Sequence, residues 1–191
     1  MKRVIIIHCW NGYPEYCWYP QTRKELESKD FDVEVPSMPD TDRPKLSLWL
    51  PALREIIEVP DENLFLVGHS IGCVTILRYL ESLPEGMKIG GVVLVAGFTD
   101  NLGFQELDNF FETELDFETI KTRANKFVLI HSDNDPFVEY PKYADILQEK
   151  LGAELIFKPG EEHFSGEVEG ETTKTCKSLP EVAQSILKLK N

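Results

Sequence analysis

The chain has no CxxC pair, no apolar run long enough to span a bilayer, and few basic residues for its number of acids. The four cysteines, Cys9, Cys17, Cys73 and Cys176, fall at irregular spacings, which fits reduced thiols better than a disulfide framework or a zinc site. A cytoplasmic location is therefore expected. The first apolar run is ended by His8, too soon for the apolar core of a secretory signal. No later stretch approaches the ~20 apolar residues of a membrane helix.

Lys and Arg number 20 against 33 Asp and Glu, a formal net charge of −13. Binding nucleic acid needs clustered cations that displace counterions, and the same lack of cations argues against anionic membranes and polyanionic substrates. There is no Gly/Ser or Gln/Asn tract, no internal repeat and no linker, and 191 residues suit a single domain spanning 1–191. No metal-ligand cluster and no phosphate loop appears, so neither a metal nor a cofactor is expected.

Short apolar, β-branched runs alternate with helical patterns, which predicts a mostly parallel sheet covered by helices on both faces, an α/β architecture. Six strands are expected: Val4 to His8, Val33 to Val35, Leu64 to Val67, Gly91 to Val95, Phe127 to His131 and Leu155 to Phe157. Apolar spacing predicts one helix starting near Ser47, with Pro51 a kink unless it lies in the first turn. Others are expected over Ile71 to Leu83 and Tyr140 to Leu151, the latter stopped by Gly152. A last helix should be capped by Ser178 and Glu181 at capping-box spacing.

The chemistry concentrates at Gly68-His69-Ser70-Ile71-Gly72, a GxSxG run between an apolar strand and a helical pattern. In that context the serine sits on a tight strand-to-helix turn, exposed above a helix N-terminus, and the flanking glycines avoid clashes. A serine hydroxyl needs a base and an orienting carboxylate. In this fold the acid and then the histidine follow the serine, and two histidines do so here, His131 and His163. His131 ends a strand and reads as a packed residue. His163 follows the last strand and is assigned as general base. Asp135, before Pro136, is the first choice of acid, with Asp133 second and turn capping the rival role for either. Backbone N–H groups of Ile71 and of Cys9 or Trp10 are the expected oxyanion donors.

The chain resembles the compact α/β-hydrolases of the retinoblastoma-binding protein nine and YdeN-like family over nearly its whole length. The likeness rests on His8, Trp18, Met38-Pro39, Trp49, Gly68-His69-Ser70-Ile71-Gly72-Cys73, Gly97-Phe98, Asp133-Asn134-Asp135-Pro136 and Gly160 with His163-Phe164. It implies an α/β-hydrolase fold without a large cap domain, and a small serine hydrolase with Ser70, Asp135 and His163 as its triad. It also favours Asp135, since the family acid directly precedes the proline or its equivalent. Relatives commonly carry Gly where this chain has Cys9, which bears on the shape of the oxyanion loop.

His69, Trp10, Asn11, Phe98 and Phe164 are the candidate pocket residues, and Trp18 an anchor of the aromatic loop from Cys9 to Pro20 to the helix after it. The segment 98–122 is rich in phenylalanine and acids, and reads either as a small lid or pocket wall or as short helices packed on the sheet. The glutamates from Glu161 to Glu171 read as a solvated loop. The expected reaction is hydrolysis of a small-molecule carboxylic ester, short or medium in its acyl group, through an acyl-enzyme. The alternatives are amide or peptide cleavage by the same triad, or a protein-interaction scaffold on a hydrolase fold, alone or beside catalysis.

Overall fold

The computed structural model describes residues 1–166 and 174–190. The six strands are β1 (Lys2–Ile7), β2 (Phe31–Glu34), β3 (Leu64–His69), β4 (Gly91–Val95), β5 (Phe127–His131) and β6 (Glu154–Phe157). They form one sheet in the order β2-β1-β3-β4-β5-β6, every pairing parallel. The central strands β3, β4 and β5 are buried at every residue, which is why they read as continuous apolar runs. Edge strand β2 alternates, with Phe31 and Val33 inward and Asp32 and Glu34 outward.

The helices are α1 (Tyr19–Glu27), α2 (Leu46–Ile57), α3 (Ile71–Glu81), α4 (Phe117–Ile120), α5 (Lys142–Leu151) and α6 (Pro180–Leu189). α1 packs against α6, while α2 packs on α3, and α4 bridges α3 and α5. In α2, Pro51 is the sixth residue and not in the first turn. The helix continues because the proline and Ser47, whose carbonyl loses its partner, both face solvent. Trp49, Leu53 and Ile57 meanwhile bury one stripe of it. Gly152 ends α5 in the left-handed conformation, φ 64°.

The ends of β1, β2, β3 and β6 differ from expectation by one or two residues, and three helix ends differ as well. α3 stops at Glu81, two residues before Leu83, with Pro84 just beyond. α5 begins at Lys142, since Tyr140 precedes a proline and is driven out of helical geometry. The capping box at Ser178 does not form. Pro180 opens α6 with Leu179 as its uncapped N-terminal residue, and the Glu181 carboxylate instead holds Lys158 at 2.5 Å.

Strand order reverses direction at β1, so the loops after β1 and β3 diverge and leave a crevice at their C-terminal ends, where α/β sheets bind ligands. Pairing of Ile7 with Gly68 and of His69 with Val95 brings these ends level.

Residues 98–122 combine both expected roles. A 3₁₀ turn, Gln105–Phe110, and α4 bury Leu107, Phe110 and Ile120 in the core. Arg78 of α3, 5% exposed, ties the segment down by donating to the carbonyls of Phe110 (3.0 Å), Thr113 and Glu114 (3.3 Å) while pairing with Glu81 at 2.8 Å. Phe98, Leu102, Phe104 and Leu107 of this segment line the cavity described below.

Candidate active site

The turn from β3 into α3 leaves no room for side chains on its glycines. A Cβ on Gly68 would lie 2.7 Å from the Cys73 backbone, and one on Gly72 would run into the Ile7 carbonyl. Ser70 between them adopts φ 55°, ψ −121°, a strained conformation for a residue with a Cβ. Its N–H is held by the Val95 carbonyl at 2.9 Å. The hydroxyl thereby stands at the end of the sheet, 7% of the residue exposed.

Ser70 Oγ lies 2.9 Å from His163 Nε2, and His163 Nδ1 lies 2.7 Å from Asp135 Oδ2. A carboxylate only accepts, so Nδ1 carries the ring proton and Nε2 presents its lone pair to the serine. Asp135 Oδ1 accepts the N–H groups of Phe137 (2.9 Å) and Val138 (3.0 Å), which fixes the carboxylate. Asp133, the second choice of acid, accepts the Gly160 N–H at 2.8 Å and does not reach the histidine.

Its neighbours serve the same junction. Ser132 Oγ accepts from the Glu161 N–H (3.0 Å) and Asn134 Oδ1 from the Glu162 N–H (2.9 Å). The four residues 132–135 are thus laced to the four residues 160–163. Of the expected glutamate loop, 167–171 lies outside the described residues.

Cys9 and Trp10 were both candidate oxyanion donors, and hydrogen bonding separates them. The Cys9 N–H is taken by the Tyr19 hydroxyl at 3.1 Å, whereas the N–H groups of Trp10 and Ile71 have no acceptor among the described residues. The loop is braced by His8, whose Nδ1–H donates to the Cys9 carbonyl (2.8 Å) and whose Nε2 accepts the Met38 N–H (3.1 Å).

Tyr19 extends this brace to the histidine loop. Its hydroxyl lies 2.7 Å from His69 Nδ1, and His69 Nε2 lies 2.7 Å from the His163 carbonyl. The carbonyl can only accept, so Nε2 holds the proton and Nδ1 accepts from the tyrosine. Burial pushes His69 down to about 3 and His131 down to about 4, and it lowers His8 as well. All three are neutral near pH 7, as the partners of His8 and His69 require.

A cavity of ≈ 250 Å³ opens onto Ser70 and His163. Trp10, Asn11 and Phe98 line it as expected, joined by Phe104, from the segment expected as a possible pocket wall, and by Phe137, which sequence reasoning missed. His69 and Phe164 do not line it. His69 is the last residue of a buried strand and points into the Tyr19 and His163 contacts, while Phe164 turns at φ 56° into the core with no exposed surface. Trp18, the expected anchor, is also fully buried, edge-on to Tyr19 at 4.6 Å.

The parallel sheet, the serine elbow and the histidine behind it define an α/β-hydrolase. The family model described as serine hydrolase matches residues 4–173, and the chain belongs to that family. It is 34% identical over 149 residues to the hydrolase YdeN of Bacillus subtilis (strain 168), covering 78% of each. It is 27% identical over 165 residues to serine hydrolase RBBP9 of Rattus norvegicus, covering 85% of this chain and 86% of that one. The crystal structure of the B. subtilis ydeN gene product superposes with a TM-score of 0.90 at 31% identity, covering 100% and 99% of the two chains. Est1E from Butyrivibrio proteoclasticus, solved with ferulic acid, shares the fold at a TM-score of 0.74 and 14% identity, covering 100% and 88%.

Proposed function

We propose that the protein hydrolyses small carboxylic esters through an acyl-enzyme on Ser70. The observation that carries this reading is the unbroken chain Ser70 Oγ, His163 Nε2, His163 Nδ1, Asp135 Oδ2, at 2.9 and 2.7 Å, opening onto a cavity. Those separations are within reach of proton transfer.

In this mechanism His163 Nε2 takes the Ser70 proton as Oγ bonds to the ester carbonyl carbon. The N–H groups of Ile71 and Trp10 hold the negative charge on the carbonyl oxygen. The C–O bond to the alcohol breaks as His163 returns the proton to the leaving oxygen. Water, deprotonated by the same nitrogen, then attacks the acyl carbon, and as the bond to Oγ breaks His163 returns that proton to Ser70 and the acid leaves. Asp135 keeps the ring in the required tautomer and faces the imidazolium that forms.

Size supports a small ester over a triglyceride. Ligand sites for drug-sized molecules run from about 300 to 1,000 Å³, and this cavity measures ≈ 250 Å³. The four free thiols fit a reducing compartment, in keeping with a cytoplasmic enzyme. The test is turnover of short p-nitrophenyl esters by the wild type and Ser70→Ala. Turnover that disappears in the variant supports the reading, and turnover that survives it overturns it.

A further inference from the structure

We propose that the site selects esters carrying one flat aromatic group, held against Phe104 and Phe137; this rests on the esterase reading above. The rings around the cavity form a continuous arc. Trp10 meets Phe104 edge-to-face at 6.2 Å, Phe104 meets Phe137 at 6.4 Å, and Phe137 stands edge-on to His163 at 5.1 Å. The arc thus runs from the oxyanion loop to the base.

Phe104 and Phe137 are 39% and 44% exposed. On a chain of net charge −13, two adjacent phenylalanines left open to water at the rim of a cavity mark a place where an apolar group docks. Phe98, which also lines the cavity, is by contrast 1% exposed.

The charged side chains in the wall do not favour a charged arm. The Lys174 ammonium is engaged by Glu161 at 2.8 Å and by the Gly160 carbonyl at 3.2 Å. The Glu162 carboxylate accepts the Lys174 N–H at 2.8 Å. Among the described residues the rest of the wall is largely apolar, with the rings of Trp10, Phe104 and Phe137 beside Leu102, Leu107 and Pro136. Ring–ring contacts prefer edge-to-face or offset geometry and add to simple apolar burial, so an aryl group gains over a saturated ring of the same size, roughly 2- to 10-fold per contact.

The experiment compares kcat/KM for matched pairs whose ester chemistry is alike. Ethyl 3-phenylpropanoate against ethyl 3-cyclohexylpropanoate places the ring on the acyl side, and benzyl acetate against cyclohexylmethyl acetate places it on the alcohol side. Within one protein the ratio of a pair does not depend on how much of the sample is folded. The wild type is expected to prefer the aryl member of one pair by about 10-fold. Phe104→Leu and Phe137→Leu should each cut that ratio roughly 2- to 10-fold, while Phe137→Tyr, which keeps the ring, should preserve it. No aryl preference in either pair, or one that survives both leucine variants, overturns the proposal. If Ser70 reacts with a fluorophosphonate in such a case, the subsite fails and the esterase reading stands; an unreactive Ser70 overturns both.

Discussion

At the scale of single residues, the proposed mechanism makes activity depend on the tautomer of His163. Asp135→Asn keeps the shape and an acceptor for the N–H groups of Phe137 and Val138. It turns an amide NH₂ toward Nδ1, which must then accept, so Nε2 carries the proton and cannot take one from Ser70. We expect kcat to fall about 10⁴-fold with KM nearly unchanged, measured on a short ester. A loss below tenfold would show that Asp135 does not orient the base. Tyr19→Phe removes one hydroxyl and leaves the Cys9 N–H and His69 Nδ1 without their partner. Each unpaired buried group costs about 1–3 kcal/mol. Because the tyrosine sits between the oxyanion loop and the His163 loop, kcat on a small ester should fall roughly tenfold or more while KM holds. A variant that is merely less stable, with kcat per folded molecule unchanged, would reduce Tyr19 to a packing residue.

At the scale of elements, the strand-turn-helix around Ser70 was fully legible, because its constraint is local: Gly68 and Gly72 are close to their own neighbours in sequence or to β1. The lacing of 132–135 to 160–163 was not, since it depends on β5 and β6 lying side by side, and short polar side chains read equally well as turn formers. His69 was misplaced for a similar reason. Which way the last side chain of a buried strand points is decided by what packs above it, here Tyr19. The α6 cap was misjudged because proline in the first turn sets a start without any capping side chain.

Two element-level predictions follow from α2 and α3. Pro51→Ala restores an N–H opposite the Ser47 carbonyl on a solvent-facing turn and should stabilise the fold by about 2 kcal/mol in urea titration. Destabilisation would mean that the ring itself packs. Arg78→Met strands the carbonyls of Phe110 and Thr113 and the Glu81 carboxylate. A loss of about 3 kcal/mol is expected, and a loss under about 1 would show that the cavity wall holds without it.

At the scale of the whole molecule, the buried histidines set the response to acid. His69 and His131 titrate near 3 and 4 in the folded chain, against ~6.5 when unfolded. Between those values the unfolded chain binds protons that the folded one refuses. Stability is therefore full above pH ~6.5 and is lost as pH falls below it, by up to about 1.4 kcal/mol per pH unit for each histidine. Carboxylates, near ~4 when unperturbed, change little in charge between pH 7 and 5. The urea midpoint should thus drop clearly over that interval, and a flat or rising midpoint would contradict the burial of these rings. The parallel sheet and the helices on both faces were implied by the alternation of apolar runs, whereas the strand order, and with it the crevice after β1 and β3, was not, because alternation does not say which strands lie side by side. The aromatic arc was not, because Phe104 and Phe137 come from separate loops that meet only at the cavity.

The central claim is that Ser70 is the activated nucleophile, and the most direct test is peptide mass mapping after reaction of the folded wild type with a fluorophosphonate. The prediction is a single phosphonyl group on the peptide bearing Ser70, absent in His163→Ala under the same exposure. A folded protein that stays unmodified, or that carries the group on another residue, would contradict it.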